Sequence, residues 1–246
     1  MIQKITDSNV LFQALDKGRD IYTEKIRAFG RAYGCGYDFC NFYKQTGGTV
    51  IADYYGSAVA ARTGVRPGDR VAELMEFLMC GKFRKVLLPY QTLAAANVDA
   101  NYKEILLMSC ENTPEKTDDI DKLRGNTDTS LVDISEIVSD GFDIDVNKWY
   151  TDMSHNFRHG ISQVYVLENN ACAVKMFASS GIAYLSYVST RREARGRGFA
   201  TRLVSTICAD EAANGNTVQI FCDESLRSFY ADIGFVSIGK AAELTI

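Results

Sequence analysis

The sequence predicts an α/β protein with a mixed sheet, built as two domains of similar element order, and three observations predict it. Apolar residues recur at two periods, about 2 in short runs and about 3.6 in longer ones, so strands and helices alternate. The order of elements is nearly the same in the two halves, a repeat of structure with no shared residue pattern. Between the halves, residues 111–129 (ENTPEKTDDIDKLRGNTDT) hold six acidic and three basic residues, Pro114 and two large aliphatics, the composition of an exposed linker. The expected organisation is a first domain over 1–110, a linker over 111–130 and a second domain over 131–246.

In the first half, Asp7 and Ser8 can cap one helix carrying Val10, Leu11, Leu15, Ile21 and Ile26, with Gly30 as its stop. Residues 38–44 and 49–55 read as a hairpin around Thr46-Gly47-Gly48, and 57–61 as a third strand. Asp69 opens an amphipathic helix with Val71, Leu74, Met75 and Leu78 on one face. Val86-Leu87-Leu88 before Pro89, and Ile105-Leu106-Leu107-Met108, read as strands. In the second half, 131–139 and 146–156 read as helices, and 163–167, 171–178 and 182–189 as strands separated by polar turns. A strong helix follows over 199–214, with Phe199, Ala200, Leu203, Val204, Ile207 and Cys208 on one face and Gly215 ending it. A strand over 217–222, a helix over 225–233 and a strand over 235–238 complete the order.

Composition narrows the function classes. The 246 residues are 46% apolar, 24% charged and 11% aromatic, which excludes disorder as the main state. The net charge of −4 supplies no basic field for a nucleic-acid backbone, so no nucleic-acid partner is expected. No apolar run approaches the roughly 18 residues a membrane helix needs, and the start of the chain has no signal-peptide core. The expectation is a cytoplasmic protein without a membrane partner. Seven cysteines without a CxxC pair or a Cys/His ligand spacing read as reduced, mostly buried thiols, and no metal is expected.

Chemistry concentrates after residue 188. The strand ending near Ser189, the helix from Phe199 and the strand over 217–222 form a crossover unit, so the two strands are expected to be parallel and both following helices to begin on one edge. Ligands of open α/β sheets bind at that carboxyl edge, where helix N-termini offer free N–H groups. The residues there are Arg191-Arg192-Glu193-Ala194-Arg195-Gly196-Arg197-Gly198-Phe199-Ala200. Gly196 and Gly198 permit close backbone approach, and four arginines fall within seven residues of an acidic protein, so a phosphate-binding site is expected. A dinucleotide fingerprint fits poorly, because the third glycine and the early strand position are missing.

Arg195-Gly196-Arg197-Gly198-Phe199-Ala200 resembles the R/Q-x-x-G-x-G/A pyrophosphate loop of the GCN5-related N-acetyltransferases, and Phe229-Tyr230-Ala231-Asp232-Ile233-Gly234-Phe235 resembles their later aromatic-Tyr-x-x-x-Gly-Phe segment. The resemblance covers about residues 131–246. It implies an acyl-CoA N-acyltransferase fold and acetyl-CoA, or another acyl-CoA, as cosubstrate. It further implies that backbone N–H groups around Arg195, Gly196, Arg197, Gly198, Phe199 and Ala200 cradle the pyrophosphate, that Val188 and Thr190 run beside the pantetheine arm, and that Tyr230 is the general acid. A strand N–H near Val188 would stabilise the oxyanion, and Arg227 is counted with the donor-binding residues. Departures from the family pattern are Asp223 where Asn is usual, Arg227 in place of a small or amide residue, and no Pro after Val188.

Both histidines, His155 and His159, end the helix before the first strand of the second half, four residues apart and so on one face. They read as caps of helix-end carbonyls, with a substrate-binding role at the acceptor side as the alternative. The first half resembles a degenerate copy of the fold, since Arg62-Thr63-Gly64-Val65-Arg66-Pro67-Gly68-Asp69 ends in an acid at the helix start, where it would repel phosphate. One acyl-CoA site per chain is therefore expected, the first half shaping the acceptor cleft or an interface such as that of a homodimer. The function these readings favour is transfer of an acetyl group to a primary amine of a small molecule or peptide; the alternative is a noncatalytic acyl-CoA-binding regulatory module.

Overall fold

The computed structural model describes residues 1–63, 70–112, 114, 121–122 and 130–246. The elements of the first half are β1 (Ile2–Ile5), α1 (Ser8–Leu15), α2 (Ile21–Tyr33), β2 (Cys40–Gln45), β3 (Thr49–Tyr54), β4 (Ser57–Arg62), α3 (Val71–Cys80), β5 (Lys85–Pro89), α4 (Tyr90–Ala96) and β6 (Tyr102–Cys110). Those that follow are β7 (Asp121–Lys122), α5 (Leu131–Gly141), α6 (Val146–Arg158), β8 (Gln163–Leu167), β9 (Ala171–Ser179), β10 (Ile182–Thr190), α7 (Phe199–Ala213), β11 (Thr217–Cys222), α8 (Arg227–Ile233) and β12 (Phe235–Thr245). Apart from two single 3₁₀ turns, both sets run β, α, α, β, β, β, α, β, α, β, so the repeat expected from the sequence is closer than the sequence reading made it. The differences lie in β1, α4 and β7, all too short to show a clear period, and in the division of the first helix into α1 and α2.

The chain divides into two compact units. One comprises Met1–Leu107 with Phe221–Glu224 and Ser237–Ile246, and the other Met108–Ile220 with Ser225–Val236. In the first unit β1 to β4 form an antiparallel meander, β5 lies parallel to β4, and the end of β12 pairs antiparallel with β5 from Ala241↔Pro89 to Thr245↔Lys85. Its core joins α3 (Leu74, Met75, Leu78) to Ile51, Val86, Leu88, Ala242 and Leu244.

The single helix expected over 8–30 is two helices. Asp20 accepts from the Thr23 N–H and starts α2 afresh, as Asp7 does for α1. Gly30, expected to end the helix, sits inside α2, where a Cβ would come within 2.8 Å of Leu11 Cδ2. It is a contact point between the two helices rather than a terminator. The expected linker lies largely outside the described residues; within it, Asp121 and Lys122 form β7, opposite Val166 and Tyr165 of β8.

In the second unit β7, β8, β9 and β10 are successively antiparallel, and β10 and β11 are parallel as the crossover rule requires. Period-two alternation assigns the faces. Val164 and Val166 of β8 pack with Ile134, Ile137 and Val138 of α5 and Trp149 and Met153 of α6, whereas Tyr165 between them reaches Glu211 of α7, so α7 covers the opposite face. Glu211 is buried and fully engaged: Oε1 accepts from Lys175 Nζ at 2.5 Å and from the Tyr165 hydroxyl at 3.1 Å, and Oε2 accepts from Asn216 Nδ2 at 2.9 Å. Among the described residues no helix is long and apolar enough to cross a membrane.

Removing one partner of such a buried network leaves the others uncompensated, so Glu211→Ala is expected to lower unfolding stability by about 3 kcal/mol in chemical denaturation. A loss below about 1 kcal/mol would show that the network does not anchor α7.

Candidate functional site

The site begins with a break in β10. Its parallel pairing with β11 runs from Ile182↔Thr217 to Tyr184↔Gln219 and goes no further among the described pairs, although β10 continues to Thr190. Against β9 the register shifts between Ser186↔Val174 and Ser189↔Cys172, so Tyr187 and Val188 together oppose Ala173. This is a β-bulge, with Tyr187 at φ +50°. The neighbourhood holds that unfavourable conformation in place. Tyr187 meets the rings of Phe142 at 5.4 Å and Trp149 at 5.9 Å, both edge-on, and its carbonyl accepts from the Cys172 thiol at 3.8 Å. Burial, then the charges of Tyr184 and Asp152, push the Tyr187 phenol up to about 12, and burial pushes the Cys172 thiol up to about 12.

Beyond the bulge a cleft of about 540 Å³ opens, with Val188 and Thr190 of β10 on one side. That volume lies within the range of small-molecule sites, about 300–1,000 Å³. A second wall is the loop into α7, with Gly196 and Gly198 at φ +74° and +78°, the left-handed conformation that favours glycine. A Cβ on either glycine would meet nothing within 4 Å, so open space lies where a side chain would project.

Helices α1, α2, α5 and α6 are each capped by the side chain of Asp7, Asp20, Ser130 or Asp145. Gly198 at the N-cap of α7 has no side chain to offer, and the first turn carries no acid. The first N–H groups and the positive end of a 15-residue helix therefore stand ready for an external anion. Phe199 and Ala200 line the cleft beside them.

The arginines divide the work differently from the sequence expectation. Arg191 donates to the Asn169 carbonyl at 2.9 Å, Arg192 Nε lies 3.2 Å from Asp140 Oδ1, and Arg195 donates to the carbonyls of Thr190 and Asp140. Arg197 is exposed, lies over the Phe199 ring at 5.3 Å and is not among the cleft-lining residues. Three of the four guanidinium groups thus hold the loop, Arg195 lining the cleft as well, and the uncapped backbone N–H groups of α7 lie beside them.

The third wall is α8. Leu226, Phe229 and Tyr230, spaced i, i+3, i+4, line the cleft. Tyr230 is 6% exposed and packs edge-on to Phe229 and Phe235 at 4.9 and 5.4 Å. Gly234 ends the helix at φ +109°, where a Cβ would lie 2.7 Å from the Asn112 carbonyl oxygen. The Gly-Phe pair of the motif therefore seats α8 against the backbone following β6.

Other expected residues fall elsewhere. Arg227 is exposed at the start of α8 and does not line the cleft. Asp223 pairs with Lys103 at 2.5 Å. His155 and His159 lie with ring centroids 4.4 Å apart, tilted by 33°, and do not line the cleft; His159 is the C-cap of α6, its backbone N–H donating to the His155 carbonyl. Asp69 and the loop before α3 lie outside the described residues. Among the described residues no group of three or more His, Cys, Asp or Glu could hold a metal ion.

Gly141, Ser189, Ala194, Thr201 and Leu226 line the cleft without having been singled out in the sequence. The i, i+3, i+4 spacing with Phe229 and Tyr230 is a signal that could have found Leu226, but nothing local marks Gly141, which meets Ser189 only through tertiary packing.

With the geometry in place, comparison with solved structures identifies the fold. An acetyltransferase of the GNAT family from Colwellia psychrerythraea superposes with a TM-score of 0.63 at 13% identity, over 100% of this chain and 99% of its own. A GCN5-related N-acetyltransferase from Kribbella flavida gives 0.63 at 14% identity over 92% and 93%. A tandem GNAT protein from the clavulanic acid biosynthesis pathway gives 0.63 at 13% identity over 100% and 98%. The chain therefore has the acyl-CoA N-acyltransferase fold of the GCN5-related proteins. Within it, residues 158–243 match the family model described as FR47-like protein, a segment that contains the loop, α7 and Tyr230. No curated protein sequence matches the chain.

The bulge makes a prediction about thiol chemistry. A thiol held protonated near pH 8 is a poor nucleophile, so Cys172 is expected to react with a disulfide reagent at least about a hundredfold more slowly than exposed Cys80 in the native protein. Equal rates would show that the β9–β10 bulge opens readily.

Proposed function

We propose that the chain is an acyl-CoA-dependent N-acyltransferase, with acetyl-CoA as donor and a primary amine of a small molecule or peptide as acceptor. The observation that carries this reading is the uncapped N-terminus of α7 behind two left-handed glycines, forming one wall of a cleft whose other walls are the bulged end of β10 and Tyr230. Acyl-CoA supplies a thioester, whose acyl group an amine can take by direct attack. The residues fit that ligand: the N–H groups of Gly196 to Ala200 suit its pyrophosphate, and Val188 and Thr190 suit the arm leading to the thioester.

The remaining roles follow from charge. As negative charge gathers on the acyl oxygen, a backbone N–H near Val188 stabilises it, a contact that contributes roughly 3 kcal/mol in comparable sites. The Tyr230 hydroxyl donates its proton to the departing sulfur. An ordinary phenol is a weaker acid than an ordinary thiol, so the transfer relies on the positioning of the acid. The attacking amine gives up its own proton through water. Unbridged thiols at all seven cysteines support a reducing, cytoplasmic setting.

One observation favours a second reading. Among the described residues no Asp, Glu or His lines the cleft, as would suit a noncatalytic acyl-CoA-binding module. The two readings separate in one assay, free-thiol release from acetyl-CoA across a panel of amines. Release that depends on one class of amine supports the enzyme, and binding without release supports the module. In the enzyme, Tyr230→Phe is expected to lower kcat by about 10²- to 10⁴-fold while leaving acetyl-CoA affinity nearly intact. Unchanged turnover would remove Tyr230 from the mechanism.

A further inference from the structure

The last turn of α5 and the glycine loop are joined by contacts that the family motif does not describe. Arg192 Nε lies 3.2 Å from Asp140 Oδ1, and the Arg192 backbone N–H donates to Oδ2 at 3.4 Å. Arg195 donates through Nη2 to the Asp140 carbonyl and through Nε to the Thr190 carbonyl at 3.3 Å. One turn back, the buried Ser189 hydroxyl donates to the Ile137 carbonyl at 2.5 Å, and a Cβ on Gly141 would stand 2.7 Å from that same hydroxyl oxygen. Two guanidinium groups thus meet the negative end of α5, where helix carbonyls lack partners of their own.

We propose that Asp140 is a positioning residue of the donor site, holding the Arg191–Gly198 loop in its binding shape before the ligand arrives. The inference rests on the donor reading above. A loop containing two left-handed glycines has much conformational freedom to lose, and ordering it in advance lowers the cost of binding. Asp140 does not line the cleft, so its carboxylate acts through Arg192 rather than on the ligand, while its main-chain carbonyl holds Arg195 whatever the side chain.

The sign of its effect is diagnostic. A carboxylate near a phosphate-binding helix end acts against binding by charge alone, so removing a mere neighbouring charge would tighten acyl-CoA binding, whereas removing an anchor loosens it.

The test measures acetyl-CoA affinity, kcat and backbone hydrogen exchange over residues 191–199 of the ligand-free protein. Asp140→Ala is expected to raise Kd about three- to tenfold, leave kcat within about twofold and speed exchange through the loop. Asp140→Asn, which keeps an acceptor for the Arg192 N–H, is expected to fall between. Arg192→Gln removes the guanidinium half of the contact without altering α5, leaving the backbone N–H on Oδ2, and serves if the Asp140 variants fold poorly, with faster ligand-free exchange again expected. Unchanged or tighter binding with unchanged exchange overturns the proposal. Should the unaltered protein bind no acetyl-CoA, the donor reading fails on its own, and loop exchange still decides whether Asp140 is the anchor.

Discussion

Strand β10 parts from β11 while staying paired with β9, and the cleft opens at that departure. A strand paired along its whole length has its backbone groups committed and no room beside them. Here the parallel pairing with β11 reaches only Tyr184↔Gln219, and a bulge at Tyr187 and Val188 turns the rest of the strand. The strained residue is held by two aromatic edges and a thiol, so the opening is built into the packing of α5, α6 and β9. The cleft-lining residues Val188 and Thr190 lie just beyond that break.

The second constraint is electrostatic economy. The protein is acidic overall and places four arginines in seven residues, which by composition alone suggests an anion met by side-chain charge. The structure distributes the work otherwise: Arg191, Arg192 and Arg195 hold carbonyls and carboxylates around the loop, and the uncapped end of α7 faces the cleft. Backbone N–H groups fixed in a loop need little rearrangement on binding, whereas long flexible side chains lose rotamer freedom when they grip a ligand.

Much of this was legible in the sequence, for identifiable reasons. The helix from Phe199 shows a clear 3.6 period and the strands from 163 to 190 are bounded by polar turns, so the fold of this region reads directly. The glycine loop and Tyr230 were legible because each occupies a short motif whose spacing reflects local geometry. What was not legible is tertiary or too short to show a period. The division of residues 8–33 into two helices turns on Asp20 and on Gly30 packing against Leu11, and β1 and α4 are single short segments. The bulge leaves no mark on composition, since Tyr187 is a residue that rarely adopts positive φ. The engagement of the arginines by Asp140, Asn169 and Thr190 joins residues 5 to 55 positions apart, beyond any motif.

The central claim is that the N-terminus of α7, opened by Gly198, is the donor's anchoring point. Calorimetric titration with acetyl-CoA tests it most directly, comparing the unaltered chain with Gly198→Val. A β-branched residue strains the φ of +78° and fills the open space there. One equivalent bound per chain is expected, with affinity lost by at least about a hundredfold in the variant and folding retained. Two equivalents per chain, or undiminished affinity in a folded Gly198→Val protein, would contradict it.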